Sequence, residues 1–593
     1  MTQPSTVASG ERDADPATDR AAGSRRWWPG VAIAAGYLLV AVLLLHRQWA
    51  DPARHALGYN PGDQALQEWY LAHGAHLLTT GHGGLFFTHL FNAPDGVNLA
   101  ANPSLILPAL LLTPVTLLFG APVAYLVLLT LALAGTATGW YLFLSRRFCR
   151  TRTAAALGGG LCGFAPGMVA QTSGHANLST QILVPFLVWL VVRLATDGRP
   201  VRDGVLLGLA ITAQALTGTE ILLLTALTLG IFSLAYAALA RRRAREAAPR
   251  LLRGLGIAAA VSVPLLAWPL REQFLGPMHF HGLPFDRTYY ALRPDSYFQV
   301  PVQSPWGAEK LSIDLAPGFA EENAFYGTPL IMALCVIAWW LRRNAVVLAA
   351  SVAAVVMALL SLGPRIILKD LDTGGVPGPW ALFTHVPILN QSLPVRMALA
   401  VIPAFAVVLA AGADRLGDLG RYRLLGVAGL VVALVPIVPT PLGRTVRPPV
   451  PHFITSGHWR QCTRPGHTLV PVPLPTPGDP DTMRWATAAG LGFAIPEGFF
   501  LGPTGRKGGD SAGLGTDRLT RPTGKLLDDV VVTGKPAAVG PAQRARAAAD
   551  LRYWRADCVV LARSAVHAGA LRTTLTRLLG PGRPVDDVVI WDR

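Results

Sequence analysis

Metal-site signatures are missing from this 593-residue chain: it has five Cys, and no CxxC or HExxH spacing occurs among them or among its His residues. Lysine is as scarce, at five residues, so the formal charge of +16 at pH 7 rests on Arg. Basic patches interleaved with stacking aromatics on a soluble face are absent, which excludes nucleic-acid binding as a function class. The Arg residues lie instead at one end of successive apolar runs, as orientation signals do. A small-x-small cleavage site is also lacking after the first apolar run, 31–45, where His46-Arg47-Gln48-Trp49 follows. That run therefore reads as an uncleaved anchor with a cytoplasmic N-terminus, behind a polar, disordered tail at 1–26.

What is present is apolar sequence, at 51% of residues with a mean hydropathy of +0.40. Runs long enough to span a bilayer recur along the chain, which reads as an all-α polytopic protein of a plasma membrane. The stretch 105–119 is short and broken by Pro108 and Pro114. If it spanned, Arg146, Arg147, Arg150 and Arg152 would face outward, so it reads as a helix at the outer interface within a first outer loop, 47–120. Spans then follow at 121–144, 154–170, 181–196, 203–217, 221–239, 251–270, 325–341, 345–362, 397–412 and 424–438, about eleven with the anchor. Longer outer loops cover 271–323 and 363–394. An odd number of spans places the C-terminus outside.

After a Pro-rich hinge at 436–451, the last stretch alternates apolar strands with helical patterns: strands at 468–474, 558–562 and 588–591, helices near 544–554 and 568–579. This predicts an extracytoplasmic α/β domain over 441–593, behind a membrane domain over 27–440. Cys462 and Cys558 would share an oxidising compartment there and are candidates for a disulfide. The alternative is that Cys558 is a buried strand residue.

Under this topology, ionisable residues that are costly at membrane depth, roughly 2.5–3.5 kcal/mol each, gather on the outer face together with polar carboxamides. Asp63, Gln67, Glu68 and Asp95 lie in the first outer loop; His175 and Asn177 lie between the third and fourth spans; Glu220 lies between the fifth and sixth. Glu321, Glu322 and Arg396 lie at the entries of later spans. Each has a plainer use: Asp63, behind Asn60-Pro61-Gly62, as the cap of a helix whose apolar stripe is Leu66, Trp69, Tyr70, His73 and Leu77, Asp95 as a turn residue, and Arg396 as an interfacial anchor. Glu220 is harder to dismiss, sitting in a short turn between two apolar runs. The pairs His73/His76 and His279/His281 lack the carboxylate pattern of a metal site.

Gly62-Asp63-Gln64, Pro94-Asp95-Gly96-Val97-Asn98-Leu99 with Ala101-Asn102, and Gly174-His175-Ala176-Asn177 resemble the GT-C superfamily of integral membrane glycosyltransferases and the bacterial membrane proteins grouped with it. The resemblance covers about residues 27–440. It implies transfer of a sugar from a polyprenyl-phosphate-linked donor to an extracytoplasmic acceptor, which would be a surface or cell-wall glycan, a lipid or a protein. Asp63 would be the catalytic base, with Gln67, Asp95, His175, Asn177, Glu220, Glu321, Glu322 and Arg396 binding substrate. A base on one side and a cation on the other fits displacement with inversion. Many members carry an Asp-x-Asp or adjacent acidic pair in the first loop, whereas here Gln64 and Ala65 follow Asp63. A divalent metal is the cofactor the resemblance allows, and these residues assign it no ligands. Two other readings stand beside transfer: a transporter or flippase of a lipid-linked glycan, and a membrane scaffold without catalysis. Matching halves with broken helices, frequent in transporters, are not found.

Overall fold

A computed structural model of the chain describes residues 28–307, 325–368, 375–386, 388–504, 511–514 and 521–592. The expected tail at 1–26 and both Glu321 and Glu322 lie outside the described residues. The helices that matter below are α1 (Trp28–Leu44), α2 (Pro61–Thr80), α3 (Ala121–Arg147), α4 (Arg152–Phe164), α5 (Val184–Ala195), α6 (Pro200–Ala215), α7 (Thr219–Leu239), α8 (Arg241–Leu275), α9 (Thr328–Trp340), α10 (Ala345–Ser361), α11 (Met397–Asp414) and α12 (Arg423–Leu434). Seven helical stretches among the described residues are long and apolar enough to cross a membrane, and α1, α9 and α10 are shorter apolar helices. The expected span at 203–217 overlaps α6, a 16-residue helix that starts at Pro200 and carries Arg202 and the buried Asp203 in its first turn.

Helix α11 is the spine. Most of its apolar residues are buried, against α4, α9 and α10. Helix α4 packs closely on α3 because Gly159 and Gly163 carry no side chain: a Cβ there would stand 2.7 Å from the Ala137 carbonyl and 2.6 Å from the Ala137 methyl group. Helices α7, α8 and α12 turn large apolar side chains outward, among them Leu234, Trp268 and Leu424. Such surface is stable against hydrocarbon and costly against water. The stretch 105–119 forms two short helices, Ile106–Leu111 and Thr113–Phe119, that expose Leu111, Leu117, Leu118 and Phe119.

The C-terminal stretch builds a four-stranded sheet from β1 (Thr468–Val472), β2 (Ala556–Ala562), β3 (Arg583–Val585) and β4 (Val588–Asp592), in the order β3-β4-β2-β1. Strands β1 and β2 are parallel and the others antiparallel. Helices α13 (Pro522–Thr533), α14 (Pro541–Tyr553) and α15 (Ala568–Leu579) cover one face through Leu527, Val530, Leu551, Leu571 and Leu575. The periodicity shows α14 and α15 in the sequence and does not show α13. Cys462 and Cys558 form a disulfide across 96 residues, with Cα atoms 5.8 Å apart.

This layer sits directly on the first loop. His55–Leu57 pairs antiparallel with Arg444–Val446, and the Asn102 side chain both donates to and accepts from the backbone of Leu501, at 2.8 Å each way. Arg447 donates to both oxygens of Glu68 at 2.9 Å, and both side chains are buried. The expected amphipathic stripe of α2 is therefore corrected: the helix is buried on every side from Gln64 to Ala75. Its second partner, the stretch containing Met483, Phe493 and Ile495, lies some 400 residues further along the chain.

Candidate active site

Helix α2 begins on Asn60, which takes a left-handed conformation (φ 50°) and occupies the cap position, with Pro61 as the first helical residue. Asp63 stands three positions past the cap, in the first turn. Its Oδ2 lies 3.7 Å from Nε2 of His175, too far for a direct hydrogen bond. Both side chains are partly shielded, at 25% and 15% exposure. Gly174 makes this approach possible. Its φ is +111°, and a Cβ there would stand 2.7 Å from the Asn60 Cβ and 3.3 Å from the Asp63 Cβ.

One turn along α2, Gln67 ties the same segment down. Its Oε1 accepts from the Ala176 backbone N–H at 3.0 Å, and its Nε2 donates to Asn177 Oδ1 at 3.3 Å. Gly218 brings in a third turn, since a Cβ there would stand 2.4 Å from the Asn177 carbonyl oxygen. Two residues on is Glu220, at the head of α7. Its carboxylate accepts from Arg396 Nη1 at 2.6 Å and from the Ser392 hydroxyl. Arg396 and Glu220 are both close enough to His175 to act on its charge: burial first and then Arg396 push the imidazole down, to about 3, against an opposing effect of Glu220. His175 is neutral at ordinary pH, and its Nδ1 is buried without a hydrogen-bond partner among the described residues.

Asp63, Gln67, His175, Asn177, Glu220 and Arg396 thus come together from four separate segments. Asp95 is engaged elsewhere: its carboxylate accepts the Tyr553 hydroxyl at 2.7–2.8 Å, joining the first loop to α14. Glu68 is a structural ion-pair partner. Among the Arg residues of the outer loop 271–323, Arg271 pairs with Glu272 at 2.8 Å and Arg293 with Asp295 at 3.1 Å, while Arg287 donates to the Asn390 carbonyl. His73 stacks on Trp69 with centroids 5.1 Å apart and contacts the Gly84 carbonyl, and His76 contacts that of Gly490. The sequence reading missed Ser392, which nothing in a Gln-Ser-Leu-Pro stretch distinguishes from an ordinary loop residue. It also missed the Tyr70 and Tyr125 hydroxyls, which are buried without hydrogen-bond partners among the described residues; Tyr70 lies in the expected apolar stripe and Tyr125 within the expected span 121–144.

The set combines a carboxylate at a helix start, a neutral imidazole, two carboxamides and a cation held by a second carboxylate. It can accept a proton from a hydroxyl, donate hydrogen bonds to a polyol and offer positive charge to an anion. The carboxylates offer oxygen to a hard divalent cation, yet Asp63 and Glu220 converge with imidazole and guanidinium rather than with each other, so the set does not form a built oxygen cage.

A family model described as a domain of unknown function, DUF6311, matches residues 33–434. No curated protein matches the sequence. Among solved structures, the chain is similar to the arabinofuranosyltransferase AftD from Mycobacteria at 12% identity and a TM-score of 0.53, over 91% of this chain and 37% of that one. It spans little more than a third of that protein's length. The oligosaccharyltransferase of Archaeoglobus fulgidus matches at 12% identity and a TM-score of 0.49, over 93% of this chain and 71% of that one. ArnT from Cupriavidus metallidurans, bound to undecaprenyl phosphate, matches at 15% and 0.39, over 68% and 64%.

Proposed function

The chain belongs to the DUF6311 family and has the fold of the GT-C glycosyltransferases, and from that premise we propose that it transfers a sugar from a polyprenyl-phosphate-linked donor to an acceptor outside the membrane. The observation that carries the reading is the convergence of Asp63 and His175 with the Glu220–Arg396 pair at the ends of membrane-type helices. Asp63 takes the proton of the acceptor hydroxyl as its oxygen attacks the anomeric carbon, a role worth about 10²–10⁴-fold. Arg396 faces the departing lipid phosphate, and Glu220, whose carboxylate also accepts from the Ser392 hydroxyl, holds its guanidinium in place. Gln67 and Asn177 position sugar hydroxyls. With base and cation contributed by different segments, the reading is displacement with inversion.

The same reading has about eleven spans, a cytoplasmic N-terminus and residues 441–593 outside, where they cover the first loop and meet the acceptor. The Cys462–Cys558 disulfide supports that side, because such bonds persist in oxidising compartments. So does the placement of Arg241, Arg242 and Arg243 at the opposite end of α7 from Glu220.

The test is transfer by purified protein supplied with a panel of polyprenyl-phosphate sugars and candidate acceptors, wild type against Asp63→Asn. Loss of transfer with retained donor binding is expected. Wild-type protein that transfers no sugar yet moves the lipid across vesicles would make it a flippase instead.

A further inference from the structure

We propose that His452, His458 and Asp586 form a binding site for a zinc-class divalent cation, where the linker leaving the membrane helices meets the last hairpin of the sheet. Strands β3 and β4 are joined by a two-residue turn, Asp586-Asp587, because Val585 pairs with Val588. Asp586 takes a left-handed conformation (φ 49°), which an Asp tolerates better than most residues. The two carboxylates of the turn do different things. Asp587 accepts from the backbone N–H groups of His452 at 2.7 Å and Phe453 at 3.2 Å, which locks the start of the short helix His452–Thr455 onto the hairpin. Asp586 faces the imidazoles: its Oδ2 lies 2.5 Å from Nδ1 of His458 and 3.7 Å from Nδ1 of His452.

The backbone that carries His452 and Asp586 is thus held by contacts that do not use their side chains. The two rings stand at 84° to one another with centroids 6.1 Å apart, and one ligand atom from each residue lies within 4.8 Å of the other two. Zinc bonds of about 2.0–2.2 Å to nitrogen and oxygen set tetrahedral ligand atoms about 3.3 Å apart. The present separations of 2.5 Å, 3.7 Å and no more than 4.8 Å bracket that spacing, and the side chains that carry these atoms are 68%, 42% and 30% exposed. The nearby Arg460 guanidinium is stacked on the Trp459 ring, 4.5 Å from its centroid. Two imidazole nitrogens and one carboxylate oxygen favour zinc-type ions over calcium or magnesium, which prefer all-oxygen sets. A bound ion would fasten the hairpin to a linker 128 residues earlier in the chain. The site shares no residue with the candidate active site, and the inference stands whether or not sugar transfer does.

The experiment uses full-length, tag-free protein in detergent, stripped with chelator and titrated with Zn²⁺ against a chromophoric competitor, wild type beside His452→Ala, His458→Ala and Asp586→Asn. The Asn variant keeps the left-handed turn and removes the charge. The expected result is one zinc per chain, at least tenfold weaker in each variant, undisturbed by millimolar Ca²⁺ or Mg²⁺, with a zinc-dependent rise of the unfolding midpoint in wild type alone. Absence of zinc binding in wild type, equal binding in the variants, or displacement by Ca²⁺ would overturn the proposal and leave His458–Asp586 as a hydrogen-bonded pair.

Discussion

A carboxylate at the start of a helix either caps it or faces outward, and for Asp63 the cap position belongs to Asn60. Asp63→Asn keeps the shape and removes the base, so transfer should fall about 10²–10⁴-fold with an unchanged melting profile; a variant that transfers at the wild-type rate would remove Asp63 from the chemistry. Glu497 offers a test in the C-terminal part of the chain. Burial, with Asp528 adding to it, pushes its carboxyl up to about 8, so the folded chain holds a proton that the unfolded chain releases near the ordinary value of about 4.5. Its contribution to stability is full below that ordinary value and is lost as pH rises towards 8. Glu497→Gln should therefore stabilise the protein at pH 8 and change little at pH 4.5, as read by chemical denaturation at the two pH values. Asp63, Glu220 and Arg396 were legible because ionisable groups beside apolar runs are costly and stand out. Ser392 and Glu497 were not, since one is an unremarkable loop residue and the other owes its burial to segments remote in the chain.

Between elements, the site depends on two close approaches and one buried pair. Gly174→Ala puts a Cβ against Asn60 in a conformation that disfavours it, which should cost about 1–3 kcal/mol and separate His175 from Asp63. Reduced transfer together with a lowered unfolding midpoint is the expected outcome. The Glu68–Arg447 pair is fully desolvated, so Glu68→Gln alone should destabilise by about 3–5 kcal/mol and the double change Glu68→Gln with Arg447→Met by less than either single change predicts. Additive losses in denaturant titrations would mean that the two charges do not act as a pair. The sequence marks α2 as a helix with a polar start, and an amphipathic stripe was the natural reading of it. Its burial on all sides comes from the two short helices at 106–119 and α3 together with residues 444–500 folding back over it, which no local periodicity records.

For the molecule as a whole, orientation is the decisive test of the functional reading. With Cys149, Cys162 and Cys335 replaced, a Cys introduced at Asp295 should react with a membrane-impermeant maleimide in intact cells, and one at Arg242 should react only after permeabilisation. The reverse pattern would turn the site towards the cytoplasm. Apolar runs, Arg placement and Pro breaks in the sequence by themselves determined where most of the apolar helices lie, that 105–119 is helical but no long continuous helix, and which ionisable groups merit attention, because hydrophobic transfer and chain stiffness act over a few residues. Only the tertiary structure decided which of those groups meet. Asp63, His175, Glu220 and Arg396 are brought together by close backbone approaches at Gly174 and Gly218, while Asp95 is taken by Tyr553 and His452 and His458 find Asp586. Each of these meetings joins segments from about 45 to 460 residues apart, and contact at that distance is set by the packing of the whole chain rather than by its local pattern.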